Sequence, residues 1–383
     1  MTTELGATRR ARLVRAWREG RAGPLGLALT PVSWAYRAGL AVRETAYARG
    51  LLRRGRLPCP VVSVGNLTVG GTGKTPAVEL VARWLVEDGR RVAVVSRGYG
   101  RRAEAPVELV SDGGEPRLPA ERAGDEPLLL ARRLPGVGVV VGADRLAAGQ
   151  WAVAHLRPDV VLLDDGFQQR RLLKDAEVVC LDARAPWGPG GLFPRGTLRE
   201  SPAALARAHL VIATRAAGRP DLGPLIEEIR RHAGPAPCLA ADYAVEGVQD
   251  LASGARHPDA ILRGRAVLAF AGIAEPERLA ETLAAHGAAV RDLVAFPDHH
   301  AYEPEDLVAL ARRARAVGAA VMVTTEKDGV RLRVPGGLGS WSPALPSVWA
   351  LGVRLVPLAS PEAWRAALLA RVDAARRDSG RGR

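Results

Sequence analysis

The residues best suited to chemistry stand in the stretch SVGNLTVGGTGKTPAVELVARWL, residues 63 to 85. Gly73, Lys74 and Thr75 close it in the manner of the phosphate-binding pattern G-x-x-x-x-G-K-[ST], but the slot of the first glycine holds Thr68. Between the two ends lie Val69, Gly70, Gly71 and Thr72. Glycines here let backbone N–H groups turn inward around phosphate oxygens, and a following helix adds the positive end of its dipole. Lys74 is then placed to reach the β- and γ-phosphates of a nucleotide, and the Thr75 hydroxyl to help hold Mg²⁺. An apolar run precedes the loop and an amphipathic one follows, with Pro76 in the first helical turn, where a missing N–H costs nothing.

A phosphate loop needs an acid at the end of a nearby apolar strand to help hold the cation. VVLLDDGFQQ supplies Asp164 and Asp165 after four buried-type residues, an arrangement that is costly without a cation, although such acids can also cap a turn. AGDEPLLLARRL sets Asp125 and Glu126 before Pro127 at a helix start, where an aspartate is most simply an N-cap. FPDHH offers Asp298, His299 and His300, and lone histidines are more often structural than catalytic. SRGYGRR (96–102) and GGLFPRGTLRESP (190–202) are Gly- and Arg-rich loops suited to anionic ligands or to plain turns. TTEKDG (324–329) invites comparison with the guanine-reading order [NT]-K-x-D, but its order is Thr-Glu-Lys-Asp, which disfavours a GTPase.

Stepping from these loops to what must carry them, the sequence alternates apolar runs (PVVSVGN, RVAVVSRGYG, GVGVVVGAD, DVVLLDDGFQ, AEVVCLDA, HLVIATR) with amphipathic segments at 76–88 and 143–156. Such strands, apolar throughout and separated by helices, predict an α/β fold with a parallel sheet covered by helices on both faces. The alternation weakens from 216 to 262 and resumes with AVLAFAGIAEPERLAETLAAHG, VRDLVAF, GAAVMVTTEKDG and VWALGVRLVP, which predicts a second, smaller α/β domain. The expected division is 57–218 for the nucleotide domain, 219–345 for the smaller one, and 346–383 for a C-terminal strand, helix and basic tail. At 383 residues the chain is long enough for both. Three cysteines, Cys59, Cys180 and Cys238, lie far apart with no C-x-x-C spacing, which fits a reducing compartment and no structural zinc.

Residues 1–56 hold twelve arginines and three glutamates, nine of the net thirteen positive charges of the chain. Within them AGPLGLALTPVSWAY is uncharged but short and broken by Pro24 and Pro31, too short to span a bilayer. Beyond it Tyr36, Leu40, Tyr47 and Leu51 share one helical face. The segment reads as a helix lying on an anionic membrane surface, with apolar groups dipping in and arginines at the headgroups. The plain alternative is a basic helix packed on the domain. No nucleic-acid-binding module is present, and no nucleic-acid partner is expected.

Together and in this order, VSVGNLTVGGTGKTP, VVSRGYG, GDEP, LLDDGFQ, LRE, FPDHH and TEKDGV resemble the tetraacyldisaccharide 4′-kinases of lipid A biosynthesis, over about residues 25 to 350. The resemblance implies a two-domain P-loop kinase on the cytoplasmic face of the inner membrane, peripheral or monotopic. Such a kinase passes the γ-phosphoryl group of ATP, with Mg²⁺, to the 4′-hydroxyl of a tetraacyldisaccharide 1-phosphate, the lipid A disaccharide precursor. It implies nucleotide binding by Thr68 to Thr75, Asp125 as the base, and His299 as its partner from the other domain, so that a cleft must close. It also implies Asp164 and Asp165 as the strand-end acids, Arg97 and Tyr99 at the substrate, and Arg199 with Glu200 at the active site, Glu200 being a candidate metal ligand. The rival is a membrane-attached ATPase of the partition and septum-placement class, whose signature lysine before the paired glycines is replaced here by Val69.

Overall fold

Five-residue runs such as VVLLD and VAVVS are uniformly apolar to their last residue, and each forms a strand buried along its whole length. The computed structural model describes residue 17, residues 23–332 and residues 346–381. It divides into two units: one holds the described residues up to Tyr243 and those from Leu355 on, and the other holds those of Ala244–Arg354.

The larger unit contains β1 (Val61–Asn66), β2 (Val92–Ser96), β3 (Val107–Ser111), β4 (Gly138–Gly142), β5 (Val160–Asp164), β6 (Ala176–Asp182), β7 (Leu210–Thr214) and the first part of β8 (Cys238–Asp250). Their order across the sheet is β8-β7-β6-β1-β5-β2-β4-β3. Every pairing is parallel except β3 with β4. The helix Arg145–Leu156 covers part of the sheet through Ala148 and Ala152, against Ala93, Val95, Val140, Val161 and Leu163. The helix Gly223–Ala233 places Leu225, Ile229 and Ala233 at successive four-residue steps into another core, with Val179, Leu181, Val211 and Ala213. That burial draws residues 219–243 into the larger unit, whereas their Pro, Gly and charge content suggests a boundary at 218/219. The C-terminal helix Glu362–Arg381 also joins this unit: the Trp364 indole donates to Val211 O at 3.0 Å and its ring lies 5.4 Å from that of Trp84.

In the smaller unit β9 (Arg256–His257) pairs antiparallel with the second part of β8, and β10 (Ala266–Ala271), β11 (Ala289–Ala295), β12 (Val321–Thr325) and all but the end of β13 (Val348–Pro357) run parallel in the order β11-β10-β12-β13. Side chains alternate between two cores. Val267 and Ala269 meet Leu279 and Leu283 of the helix Glu277–Ala285, while Leu268 and Phe270 meet Leu307 and Leu310 of the helix Pro304–Ala316.

Among the described residues no helix is long and apolar enough to cross a membrane. The arginines at 9, 10, 12, 15, 18 and 21 lie outside the described residues. In the helix Thr30–Ala48 the expected apolar face is turned inward: Tyr36, Leu40 and Tyr47 are half-buried against the chain's own surface. A different set points to solvent, with Leu27 66%, Trp34 67% and Val42 70% exposed, and Leu51 exposed beyond the helix end.

Candidate active site

The carboxyl ends of three neighbouring strands, β1, β5 and β2, deliver the phosphate loop, Asp164 and Ser96 to one edge of the sheet, the place where open α/β sheets bind ligands. The loop is braced by hydrogen bonds from its own residues and from the ends of neighbouring segments. Asn66, the buried last residue of β1, donates from Nδ2 to both Thr68 O and Thr72 Oγ1 at 2.7 Å each. Val69 N–H donates to Thr197 O at 2.7 Å. From the end of β7, Thr214 Oγ1 donates to Thr72 O at 3.0 Å, and the Arg215 guanidinium donates to Gly71 O at 2.9 Å and to Asp182 at 2.7 Å. Gly73 caps the helix Lys74–Glu87 at φ +84°, and a Cβ there would strike the Tyr243 hydroxyl, so glycine is required on two counts.

Past the loop, two cations meet one carboxylate. Arg199 Nη1 lies 2.9 and 2.8 Å from the two oxygens of Asp165, and Lys74 Nζ lies 3.8 Å from Oδ1. Burial pushes the Asp165 carboxyl up, but Lys74 and Arg199 outweigh it and hold the group below its ordinary value. Asp164 has the opposite character. It is 2% exposed, its Oδ2 accepts from Ser96 Oγ at 2.8 Å, and its buried Oδ1 has no hydrogen-bond partner. Burial, then the charges of Glu126 and Asp165, raise it to about 7. A buried carboxylate oxygen with no donor is the fit expected of a cation ligand. Among the described residues no group of three or more acidic, histidine or cysteine side chains stands ready to hold a metal ion. Glu200 is buried and both its oxygens accept from Arg207, at 3.1 and 2.9 Å, so an ion pair already engages it.

The GDEP segment corrects one reading. Gly124 takes the N-cap position and Asp125 is the first residue of the helix Asp125–Arg133, not its cap. The SRGYG loop approaches this segment closely: a Cβ on Gly124 would come within 3.2 Å of Gly98 Cα. That loop leaves Tyr99 74% exposed and is tied back through Arg101 to the buried Glu108, which also takes Arg122 at 2.5 Å. Arg199 is fixed by its backbone, with its N–H donating to Leu67 O at 2.7 Å and its carbonyl accepting from Tyr36 Oη at 2.9 Å. His299 lies in the other unit, on the loop after β11, with a left-handed φ of +61°.

Arg145 is a member of this neighbourhood that sequence reasoning missed. It is 5% exposed, opens the helix Arg145–Leu156, and donates to Gly142 O and Ala143 O at 3.2 Å each. Burial lowers its pKa while Asp164 and Asp165 oppose the shift. The signal was available: an arginine directly after an apolar strand, in VVVGADRLAAG.

The family model described as LpxK, tetraacyldisaccharide-1-P 4′-kinase, matches residues 25–373. The chain belongs to this family. A tetraacyldisaccharide 4′-kinase from Pelobacter propionicus is 46% identical over 304 residues, covering 79% of this chain and 82% of the relative. One from Anaeromyxobacter dehalogenans is 48% identical over 322 residues, 82% and 84% of the two chains. Among solved structures, LpxK from Aquifex aeolicus, crystallised with ATP, superposes with a TM-score of 0.72 at 30% identity, covering 91% of this chain and 99% of that one. A partition-type ATPase is not favoured by these relatives.

Proposed function

We propose that this kinase passes the γ-phosphoryl group of ATP to the 4′-hydroxyl of a tetraacyldisaccharide 1-phosphate, a late step of lipid A biosynthesis. The observation that carries the reading is the meeting of Lys74 and Arg199 on Asp165, beside the partnerless Oδ1 of Asp164. It concentrates cationic donors and a cation-seeking oxygen at the mouth of a phosphate loop. Phosphoryl transfer depends mostly on such positioning and charge neutralisation.

In this reading the loop Thr68–Thr75 cradles the phosphates through backbone N–H groups other than those of Val69 and Thr72, which donate to Thr197 O and Gly70 O, while Lys74 reaches the β- and γ-phosphates and Arg199 stabilises charge on the transferring group. Thr75 and Asp164 would hold Mg²⁺, with Asp165 as their neighbour and Glu200 left in its ion pair. Once bound, Mg²⁺ neutralises charge on the phosphate oxygens. Asp125 accepts the proton of the 4′-hydroxyl as its oxygen bonds to the γ-phosphorus and the bond to the β-phosphate oxygen breaks, releasing ADP. His299 partners that base, and Arg97 and Tyr99 serve the disaccharide. The test is a transfer assay with ATP and purified disaccharide 1-phosphate, run beside Lys74→Ala; no phosphorylated lipid from the wild-type chain would refute the reading.

A four-chain lipid cannot diffuse through water, so the enzyme works at the cytoplasmic face of the inner membrane. In this reading the exposed Leu27, Trp34 and Val42 would enter the bilayer, while Tyr36 faces inward. Trp34→Glu should move the protein from the pellet to the supernatant in sedimentation with anionic liposomes, and unchanged pelleting would remove this role for the helix.

A further inference from the structure

The TEKDG motif, which fails as a guanine reader, finds a different task in the smaller unit. Asp328 is 0% exposed and gathers four donors around its carboxylate. Gly272 N–H and Tyr302 Oη reach Oδ1 at 3.0 Å each, Thr325 Oγ1 reaches Oδ2 at 2.6 Å, and Arg331 Nη2 lies 3.0 Å from Oδ1. Two of these donors also grip the loop that carries His299. Gly272 O accepts the His299 N–H at 3.1 Å and Arg331 Nη2 at 3.2 Å, while Arg331 Nη1 donates to His300 O at 2.7 Å. The backbone on both sides of the His299 side chain is therefore tied to partners of one buried carboxylate.

The tie has something to hold. The φ of +61° at His299 is a conformation that non-glycine residues seldom adopt, and it persists only where the surroundings enforce it. Space is also tight: a Cβ on Gly272 would lie 3.0 Å from Pro297 O and 3.1 Å from Asp328 Oδ1. Tyr302 is a dependable donor, because burial and then the charge of Asp328 push its pKa up. Its ring packs edge-on to Phe296, Phe270 and His300.

We infer that Asp328, Arg331 and Tyr302 are positioning residues for His299, acting on phosphoryl transfer through the shape of the histidine loop. The inference rests on the reading of His299 as the partner of the catalytic base. Asp328→Asn would strand Arg331 in a buried site and risks unfolding, so the informative changes are milder. Tyr302→Phe deletes one donor, and Arg331→Lys keeps the charge but loses the planar fork that serves the carboxylate and two carbonyls at once.

The experiment measures single-turnover transfer and the KM for ATP for Tyr302→Phe, Arg331→Lys, His299→Ala and the two double variants, with melting temperatures as the folding control. Each positioning variant should lower the transfer rate by about 10- to 100-fold with the ATP KM unchanged, the scale of a small misplacement of a reacting group. In the His299→Ala background neither should lower it further. Wild-type rates in both variants, or the same fold-loss with and without His299, would overturn the inference while leaving His299 in its role. A full rate for His299→Ala itself would instead overturn the reading of His299, and the inference with it.

Discussion

The phosphate loop and the histidine loop are both held rigid by polar contacts, and differ in where the side chain that organises each one lies along the chain. At the phosphate loop the decisive side chain, Asn66, is six residues from the Thr72 hydroxyl it grips. At the histidine loop the carboxylate that organises the site, Asp328, is 56 residues from Gly272 and 26 from Tyr302. The lesson concerns where a motif keeps its supports. A loop whose organising side chain lies inside its own motif carries its signature as a short pattern, even though Thr197, Thr214 and Arg215 also hold it from afar, whereas one organised by a distant carboxylate scatters its signature over fragments such as FPDHH and TEKDG, which look unrelated until the chain folds.

Lys74→Ala should produce the largest effect that bears on this contrast, since the lysine is both part of the local pattern and the group nearest the transferring charge. Loss of such a preorganised charge contact costs on the order of 10²- to 10³-fold in turnover, measurable in the transfer assay. A loss no greater than that of Tyr302→Phe would erase the distinction between the two loops. Asn66→Ala comes next. It frees Thr68 O and Thr72 Oγ1 together, and we expect the ATP KM to rise about tenfold, the scale of losing one or two buried hydrogen bonds. An unaltered KM would mean that the contacts from Thr197, Thr214 and Arg215 suffice, and the bracing would no longer be local.

The smallest effect concerns Asp164. Its folded value of about 7 stands above the ordinary 3.8, so the folded chain holds this proton more tightly than the unfolded one. The associated stability is fully present below about pH 4 and is lost as the pH rises through about 7. In chelator, the urea midpoint of the wild type should therefore fall between pH 5.5 and 8 more steeply than that of Asp164→Asn. Parallel slopes would show that the carboxylate is hydrated, and the phosphate side less dry than its burial implies.

How much of this was legible beforehand follows the same divide. The strands of the larger sheet could be read because a strand covered on both faces is apolar at every position, as in Val160 to Leu163. β3 is not legible in the same way, because VELVS alternates and carries Glu108, whose burial depends on Arg101 and Arg122 arriving to pair with it. The extent of the larger unit was obscured by composition, since Leu225 and Ile229 are few among the charges of LIEEIRRHA yet fall on one helical stripe. At the N-terminus periodicity found an apolar face but could not say what covers it. Tyr36 turned out to face Phe193 and the Arg199 carbonyl, and Trp34 the solvent. The acid pair was visible as residue types, but the difference between Asp164 and Asp165 was not, because it arises from Arg199, Lys74 and Ser96, which the fold brings from three other elements.

The larger unit is interrupted in sequence, with Ala244–Arg354 inserted between its two parts. Its last helix buries Trp364, Leu368 and Val372 and touches β6 and β7. During synthesis the inserted unit therefore has all its residues in hand while the unit begun earlier still waits for its final wall. Domains tend to fold as they emerge from the ribosome. Here the part translated in the middle can mature first, and the nucleotide-binding part keeps an apolar flank uncovered until residues 355 to 381 have been made.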